Sequence, residues 1–254
     1  MILLKTPAEI SVMQENGKLL AQILFALCEQ VEPGRTTQFF DDMAEALIRE
    51  AGAVPSFKGY SGYPATINAS INEEVVHGIP SPERKLKEGD VFSIDIGLVR
   101  DGLHADMATT VAVGQIDENA QHMMKVGHRS LWEGIEQVKI GNRLSDVSHA
   151  IGSYVEQAGY YVVKEYVGHG IGKALHEDPQ IPNYGPPGHG VRLRAGMAIA
   201  IEPMIKTDSM ATQVLADRWT VVTGSGGLAV HFEHTIVLTE SGTVVVTLGG
   251  DEKA

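Results

Sequence analysis

The sequence predicts an α+β fold: two similar halves, each a pair of helices followed by strands, joined in one curved antiparallel sheet covered by helices. Three observations predict it. The segment EQVEPGRTTQFFDDMAEALIREAG, beginning at Glu29, aligns without a gap on EQVKIGNRLSDVSHAIGSYVEQAG, beginning at Glu136, an offset of 107 residues. The same offset returns where EGDVFSIDIG at Glu88 meets AGMAIAIEPM at Ala195, which matches Asp95 with Glu202. The repeat units run approximately over residues 29–110 and 136–238. Finally, VFSIDIGLVRDGLHADMATT, residues 91–110, alternates apolar and small or polar residues with period 2 and carries the hairpin turn signal Asp101-Gly102.

If Asp101 and Gly102 form a two-residue loop, Arg100 pairs with Leu103, Asp95 faces Ala108 and Asp106 faces Gly97. The two carboxylates then share one face as diagonal neighbours, with Cβ atoms roughly 7 Å apart or less. Carboxylates that close on a partly dry face repel one another unless a proton or a cation lies between them. A solvated hairpin with two surface acids is the other reading of this stretch alone.

The elements follow in order. Thr6-Pro7-Ala8-Glu9 reads as a capping box with proline at the first helical position, and Ile10, Met13, Leu20, Leu24 and Leu27 form the stripe behind it. That helix ends before Pro33-Gly34. A second helix starts near Thr36 or Thr37, carries Phe40, Met43, Ala44, Leu47 and Ile48 on one face, and stops at Gly52. Residues 57–80, rich in Gly, Tyr and Asn and carrying His77, read as short strands and exposed turns. Asp117 opens a helix through Val138, and Gly141-Asn142 leads into another that ends at Gly159.

Composition excludes several classes. The 254 residues are 43% hydrophobic without a long apolar run, which fits a globular protein and no membrane span. MILLKTPAEI lacks the apolar core of a secretory signal, so a cytoplasmic location is expected. A net charge of −12 argues against nucleic-acid binding through a basic surface. The one cysteine, Cys28, sits in an apolar helical setting and reads as a small core residue.

Further acids and histidines occupy apolar, turn-bounded strands: His169 in YVGHGIGKALHEDP with His176 after it, Glu202 in AIAIEPMI, and Glu233 in VHFEHTIVL. A single buried glutamate is most often a salt-bridge partner, since burying an isolated charge is costly. Together with the hairpin, however, four acids converge on one sheet face. Asp95, Asp106, Glu202 and Glu233 bring four negative charges and His169 a neutral nitrogen, a donor set that two divalent ions balance and that suits Mn, Fe(II), Co or Zn. Metal-assisted hydrolysis of an amide or ester is the favoured reaction class.

VVHGIP, SIDIG, HADMATT, GHGIG, LHEDP, IEPM and HFEHT occur in the order and approximate spacing of the type I methionine aminopeptidases, and the chain resembles that family over essentially its whole length. Only 26 residues separate His176 from Glu202, which leaves little room for the helical insertion of the type II enzymes. The resemblance implies the pita-bread fold of the M24 metallopeptidases, with residues 1–254 as a single catalytic domain. It implies removal of N-terminal methionine from nascent proteins and peptides with a small second residue, a hydroxide bridging two metals attacking the first peptide bond. Asp106 and Glu233 would bridge the metals, Asp95 would complete one ion, and His169 and Glu202 the other. His77, His176 and Glu202 would be catalytic: Glu202 relaying a proton, His176 stabilising the oxyanion and His77 assisting the leaving amine. Tyr60, Tyr63, Asn68, Leu175 and Trp219, with the two histidines, would bind the substrate. Asn68 and Leu175 depart from the cysteine and phenylalanine of the best-known bacterial members. The expected partners are the N-termini of nascent proteins and, transiently, the ribosome; no direct nucleic-acid contact, no membrane and a monomeric state are expected.

Two other readings remain open on these residues. Prolidase or aminopeptidase P uses a similar set of two aspartates, a histidine and two glutamates. A non-catalytic binding protein on the same fold would tend to lose ligands that are all present here. The remaining histidines, His104, His122, His128, His149 and His189, read as core or surface residues, and His231 and His234 as outer support for Glu233 at most.

Overall fold

Helix α1, Pro7–Cys28, begins where its sequence says it should: Thr6 caps the Glu9 amide and the Glu9 carboxylate bonds back to the Thr6 amide. Met13, Leu20, Leu24 and Leu27 are fully buried along it. Helix α2, Thr37–Glu50, is capped by Thr36 and buries Phe40, Ala44 and Ile48. Helices α3, Glu118–Ile135, and α4, Leu144–Gln157, repeat this arrangement in the second half. The structure, a computed structural model, describes residues 1–249.

The 107-residue offset governs the backbone itself. It carries both ends of α2 onto those of α4 and the end of α1 onto that of α3. It also relates the isolated bridges Thr36–Lys85 and Arg143–Arg192. Gly34 and Gly141 turn the chain between paired helices with φ of 92° and 94°, values that an L side chain resists, and their amides donate to Leu86 and Leu193 carbonyls.

A nine-stranded antiparallel sheet joins the halves among the described residues. Its main path runs Val54–Pro55, Val91–Arg100, Leu103–Ala112, Glu233–Thr239, Ala198–Ile201, Gly168–Gly170 and Glu177–Ile181. Ile67–Ile71 adds to Val91–Arg100, and Gly242–Val245 to Glu233–Thr239. The halves meet where Glu233 pairs with Ala108 and His234 with Met107. Within the first hairpin the register is the expected one: Arg100 opposite Leu103, Asp95 opposite Ala108, Gly97 opposite Asp106.

Helices cover one face of the sheet. Leu24, Phe40 and Ile48 pack with Phe92, Ile94 and Ile96 in the first half, and Trp132, Val147 and Ile151 with Ile199, Ile201 and Ile236 in the second. Period 2 then sends Asp95, between Ile94 and Ile96, to the opposite face. One expectation needs correction. Helix α3 stops at Ile135, not Val138, because the Gln137 and Val138 amides bond only three residues back, to Gly134 and Ile135. Residues 57–80 are the short strands and exposed turns expected, Ile67–Ile71 and Glu74–Val76 being strands and 58–62 an exposed turn, while Tyr63 and the strand from Ile67 are buried beside the cavity described next.

Candidate active site

Neighbouring strands each deliver one polar side chain to the uncovered face. Asn68 lies directly opposite Asp95, and Asp106 is diagonal to Asp95 across the hairpin. Glu233 starts the next strand of the sheet, Glu202 follows the end of Ala198–Ile201, and His169 pairs with Ala200. All twelve residues singled out in the sequence line a single cavity, together with Phe57 and Val76.

The acids and imidazoles stand apart by more than a hydrogen bond. His169 Nε2 is 3.6 Å from Glu202 Oε1 and 3.9 Å from Asp106 Oδ2. Asp95 Oδ1 and Glu233 Oε1 are buried without a hydrogen-bond partner. Such orphaned oxygens are costly unless something else meets them. The spacing is that of donors facing a common cation, each of which would lie about 2 Å from it. Groups able to hold an ion form from Asp106, His169 and Glu233 and from Glu202, His231 and Glu233. The donor set of hard oxygens and imidazole nitrogens fits two divalent ions.

Electrostatics agree. Burial pushes the Asp95 carboxyl up to about 7, against the hydrogen bond from Asn68 Nδ2. Burial, reinforced by the neighbouring acids, holds Asp106, Glu202 and Glu233 well above the usual carboxylate range. The imidazoles shift the other way: burial and the nearby His176 bring His77 to about 4 and His169 to about 3. A face that disfavours both carboxylate and imidazolium asks for cations from outside.

Hydrogen bonds fix which nitrogen is available. His169 Nδ1 lies 2.9 Å from the Gly170 carbonyl, which can only accept, so the neutral ring holds its proton there and turns the Nε2 lone pair to the acids. His176 stands at the exposed mouth with Nδ1 2.7 Å from the Tyr60 hydroxyl and its ring 4.3 Å from that of His169. Burial lowers its pKa as well. His77 adopts a left-handed backbone, φ 60°, an uncommon state for a side-chain-bearing residue. The turn leaves its ring edge-on to Tyr166 and Trp219. Tyr63 stacks edge-on against Trp219, and its hydroxyl reaches the carbonyls of Ile67 and Gly78. Tyr60, Tyr63, Leu175 and Trp219 thus make an apolar wall beside the charged floor.

Two features escaped the sequence. Asn68, taken only as a pocket residue, donates to Asp95. His231, expected at most as outer support, points its buried Nε2 to within 3.6 Å of Glu202 Oε2 and 3.8 Å of Glu233 Oε2. Its place two residues before Glu233 was the available signal, since positions i and i+2 of a strand share a face.

The model of metallopeptidase family M24 matches residues 11–240. The chain is 49% identical to methionine aminopeptidase 1 of Bacillus subtilis over 97% of its own length and 99% of that protein's. The crystal structure of methionine aminopeptidase from Thermotoga maritima superimposes with a TM-score of 0.95 at 45% identity, covering 97% of this chain and 99% of that one. A prolidase from Pyrococcus horikoshii, at 22% identity and TM-score 0.79, shares the fold. With its curved antiparallel sheet, its paired halves and its acid-lined cavity, the chain belongs to metallopeptidase family M24, among the methionine aminopeptidases of the pita-bread fold.

Proposed function

We propose that this protein hydrolyses the first peptide bond of chains that begin with methionine and carry a small second residue, using two divalent metal ions. The observation that carries the reading is the junction, in one cavity, of an acid floor with orphaned oxygens, three imidazoles and an apolar wall. Asp95, Asp106, His169, Glu202 and Glu233 would hold the ions, with His231 close to two of them. Lewis acidity at the scissile carbonyl and a more acidic water are what such ions supply when bound.

The chain's own groups do the rest. Tyr63, Leu175 and Trp219 receive the methionine side chain, and Asn68 closes the pocket floor against Asp95. A Tyr60 hydroxyl that donates to His176 Nδ1 leaves the imidazole proton on Nε2, where it faces the developing oxyanion. His77, kept neutral by burial, hydrogen-bonds the scissile amide and helps the leaving amine depart. Glu202, ionised when cations face it, accepts the proton of the attacking water and passes it on. We place this work in the cytoplasm, on nascent chains near the ribosome, by one monomeric catalytic unit. The net charge of −12 supports a peptide rather than a nucleic-acid substrate.

The test is release of free amino acid from Met-Ala-Ser, Leu-Ala-Ser, Ala-Pro-Ser and acetyl-Met-Ala-Ser after chelation and again after Mn(II) or Co(II) is restored. Metal-dependent cleavage of Met-Ala-Ser alone is expected. Preference for Ala-Pro-Ser would transfer the chain to the prolidase-like activities, and silence on all four with metal bound would leave a binding protein.

A further inference from the structure

The turn that carries Leu175 and His176 is held from beneath by a residue near the start of the chain. Lys5 Nζ lies 2.6 Å from Glu177 Oε2, and the two side chains are only 3% and 7% exposed. The other carboxylate oxygen of Glu177 accepts the amides of Lys173 and Ala174 at 2.8 and 3.2 Å. One carboxylate therefore ties both the lysine and the turn backbone. Lys5 is itself anchored: its amide donates to the Gly196 carbonyl at 2.7 Å and its ammonium to the Leu3 carbonyl at 3.0 Å. Gly172 sits against the lysine so closely that an added Cβ would lie 2.1 Å from Cε, and the Gly172 carbonyl accepts the His104 amide.

A buried ion pair seldom stabilises a fold more than an apolar pair of the same volume, because both charges lose their hydration. What it does supply is one fixed geometry, since the planar carboxylate must meet three donors at once. That geometry is applied to a five-residue turn whose two side chains enter the cavity.

We propose that the Lys5–Glu177 pair is a positioning device for the reaction, setting Leu175 against the methionine side chain and His176 over the scissile carbonyl. The inference rests on the aminopeptidase reading for the roles of those two residues, and on the contacts alone for their placement. Neither Lys5 nor Glu177 lines the cavity. A displacement of about 1 Å at a reacting group can cost on the order of 100-fold in rate, so loosening this turn is expected to be visible in turnover.

The experiment compares Lys5→Met, Glu177→Gln and Lys5→Arg with wild type, each as the full chain loaded with Mn(II). Metal content and thermal midpoint are measured, and kcat and KM for Met-Ala-Ser are referred to folded, metal-loaded protein. Lys5→Met and Glu177→Gln should lower kcat about tenfold or more and raise KM, with both metals retained, while Lys5→Arg recovers most of the loss. If Lys5→Met does not fold, the isosteric Glu177→Gln carries the same comparison. A merely structural role would reduce the folded fraction and leave kcat and KM of the remaining sites at wild-type values, which overturns the proposal. A second readout needs no turnover and uses protein loaded with diamagnetic Zn(II): the ring resonances of His176 should shift and broaden in Glu177→Gln while those of His122 stay in place. Unmoved His176 resonances would refute the positioning role even if wild type proved silent on every peptide, a result that counts against the aminopeptidase reading alone.

Discussion

Two strand pairs carry the four acids, and they are connected in opposite ways. Val91–Arg100 and Leu103–Ala112 close through Asp101 and Gly102, both left-handed with φ of 53° and 74°. Ala198–Ile201 and Glu233–Thr239 are paired in the same antiparallel sense, Ile201 opposite His234, yet residues 202–232 run between them. The acids reach the same face in both. Register, not the connection, therefore places the carboxylates, and the long connection is free to build something else. It contributes Trp219 and the strand Val221–Val222, which pairs with Val76 and so frames His77. The partners of the acids differ as well. Asp95 takes a hydrogen bond from Asn68, whereas Glu202 faces His169 and His231.

Removing an acid from the hairpin should have the largest effect, because Asp106 lies between the two halves. Asp106→Ala is expected to abolish metal binding and lower turnover by well over 100-fold, more than loss of an outer hydrogen-bond partner costs, with the fold kept. Normal turnover in this variant would rule out the shared centre. On the other side of the comparison, His77 belongs to the wall that the long connection frames. His77→Ala should lower kcat roughly 100-fold while both ions still bind, as expected for a proton-handling group. Loss of metal with His77 would instead make it part of the floor.

A smaller effect separates the partners of the two acid pairs. Asn68→Ala should weaken metal binding about 10-fold or more through the reorientation of Asp95, and isothermal titration should see one of two sites change. Equal weakening of both would mean that the halves are not independently supported. The metal-free protein should also show its buried acids in its pH dependence. Asp95 has a folded pKa of about 7; an unfolded aspartate titrates near ~4. Between those values the folded chain binds more protons than the unfolded one, so stability is greatest below about 4 and falls as pH rises through about 7. The thermal midpoint of chelated wild type should fall more steeply from pH 5 to pH 8 than that of Asp95→Asn, in which the buried histidines are unchanged, and Mn(II) should restore the wild-type midpoint. Identical slopes in the two proteins would contradict a dry Asp95.

How much of this was legible depended on the range of the signal. The Thr6–Glu9 capping box, the ends of α2 and the Asp101-Gly102 turn are local chemistry, and each appeared where its residues pointed. The hairpin register followed from the turn, and the pseudo-symmetry from an offset that needed no structure. The bond from Asn68 to Asp95 was not legible, because it joins strands whose pairing no turn specifies. His231 was undervalued although its place two residues before Glu233 put it on the same face, because nothing local showed how near its Nε2 would come to Glu202 on a separate stretch of chain. The family resemblance supplied roles, but it could not supply the Lys5–Glu177 contact, which spans most of the chain.

The least expected loss concerns the tight connection itself. Gly102 has φ of 74° and nothing within 4 Å of where a Cβ would stand, so alanine there meets no neighbour and acts through the backbone alone. Holding an L residue in the left-handed region costs roughly 1–2 kcal/mol. Gly102→Ala should therefore lower unfolding stability by about 1 kcal/mol with metal affinity and kcat unchanged, because Asp95 and Asp106 are fixed by the ladder from Val91–Ala112 to Arg100–Leu103. Denaturant titration beside a peptide assay checks both halves of the statement. A fall in kcat without a matching fall in stability would show that the turn, and not the strand pairing, aims the two aspartates, and the two acid-bearing pairs would then be built on different principles.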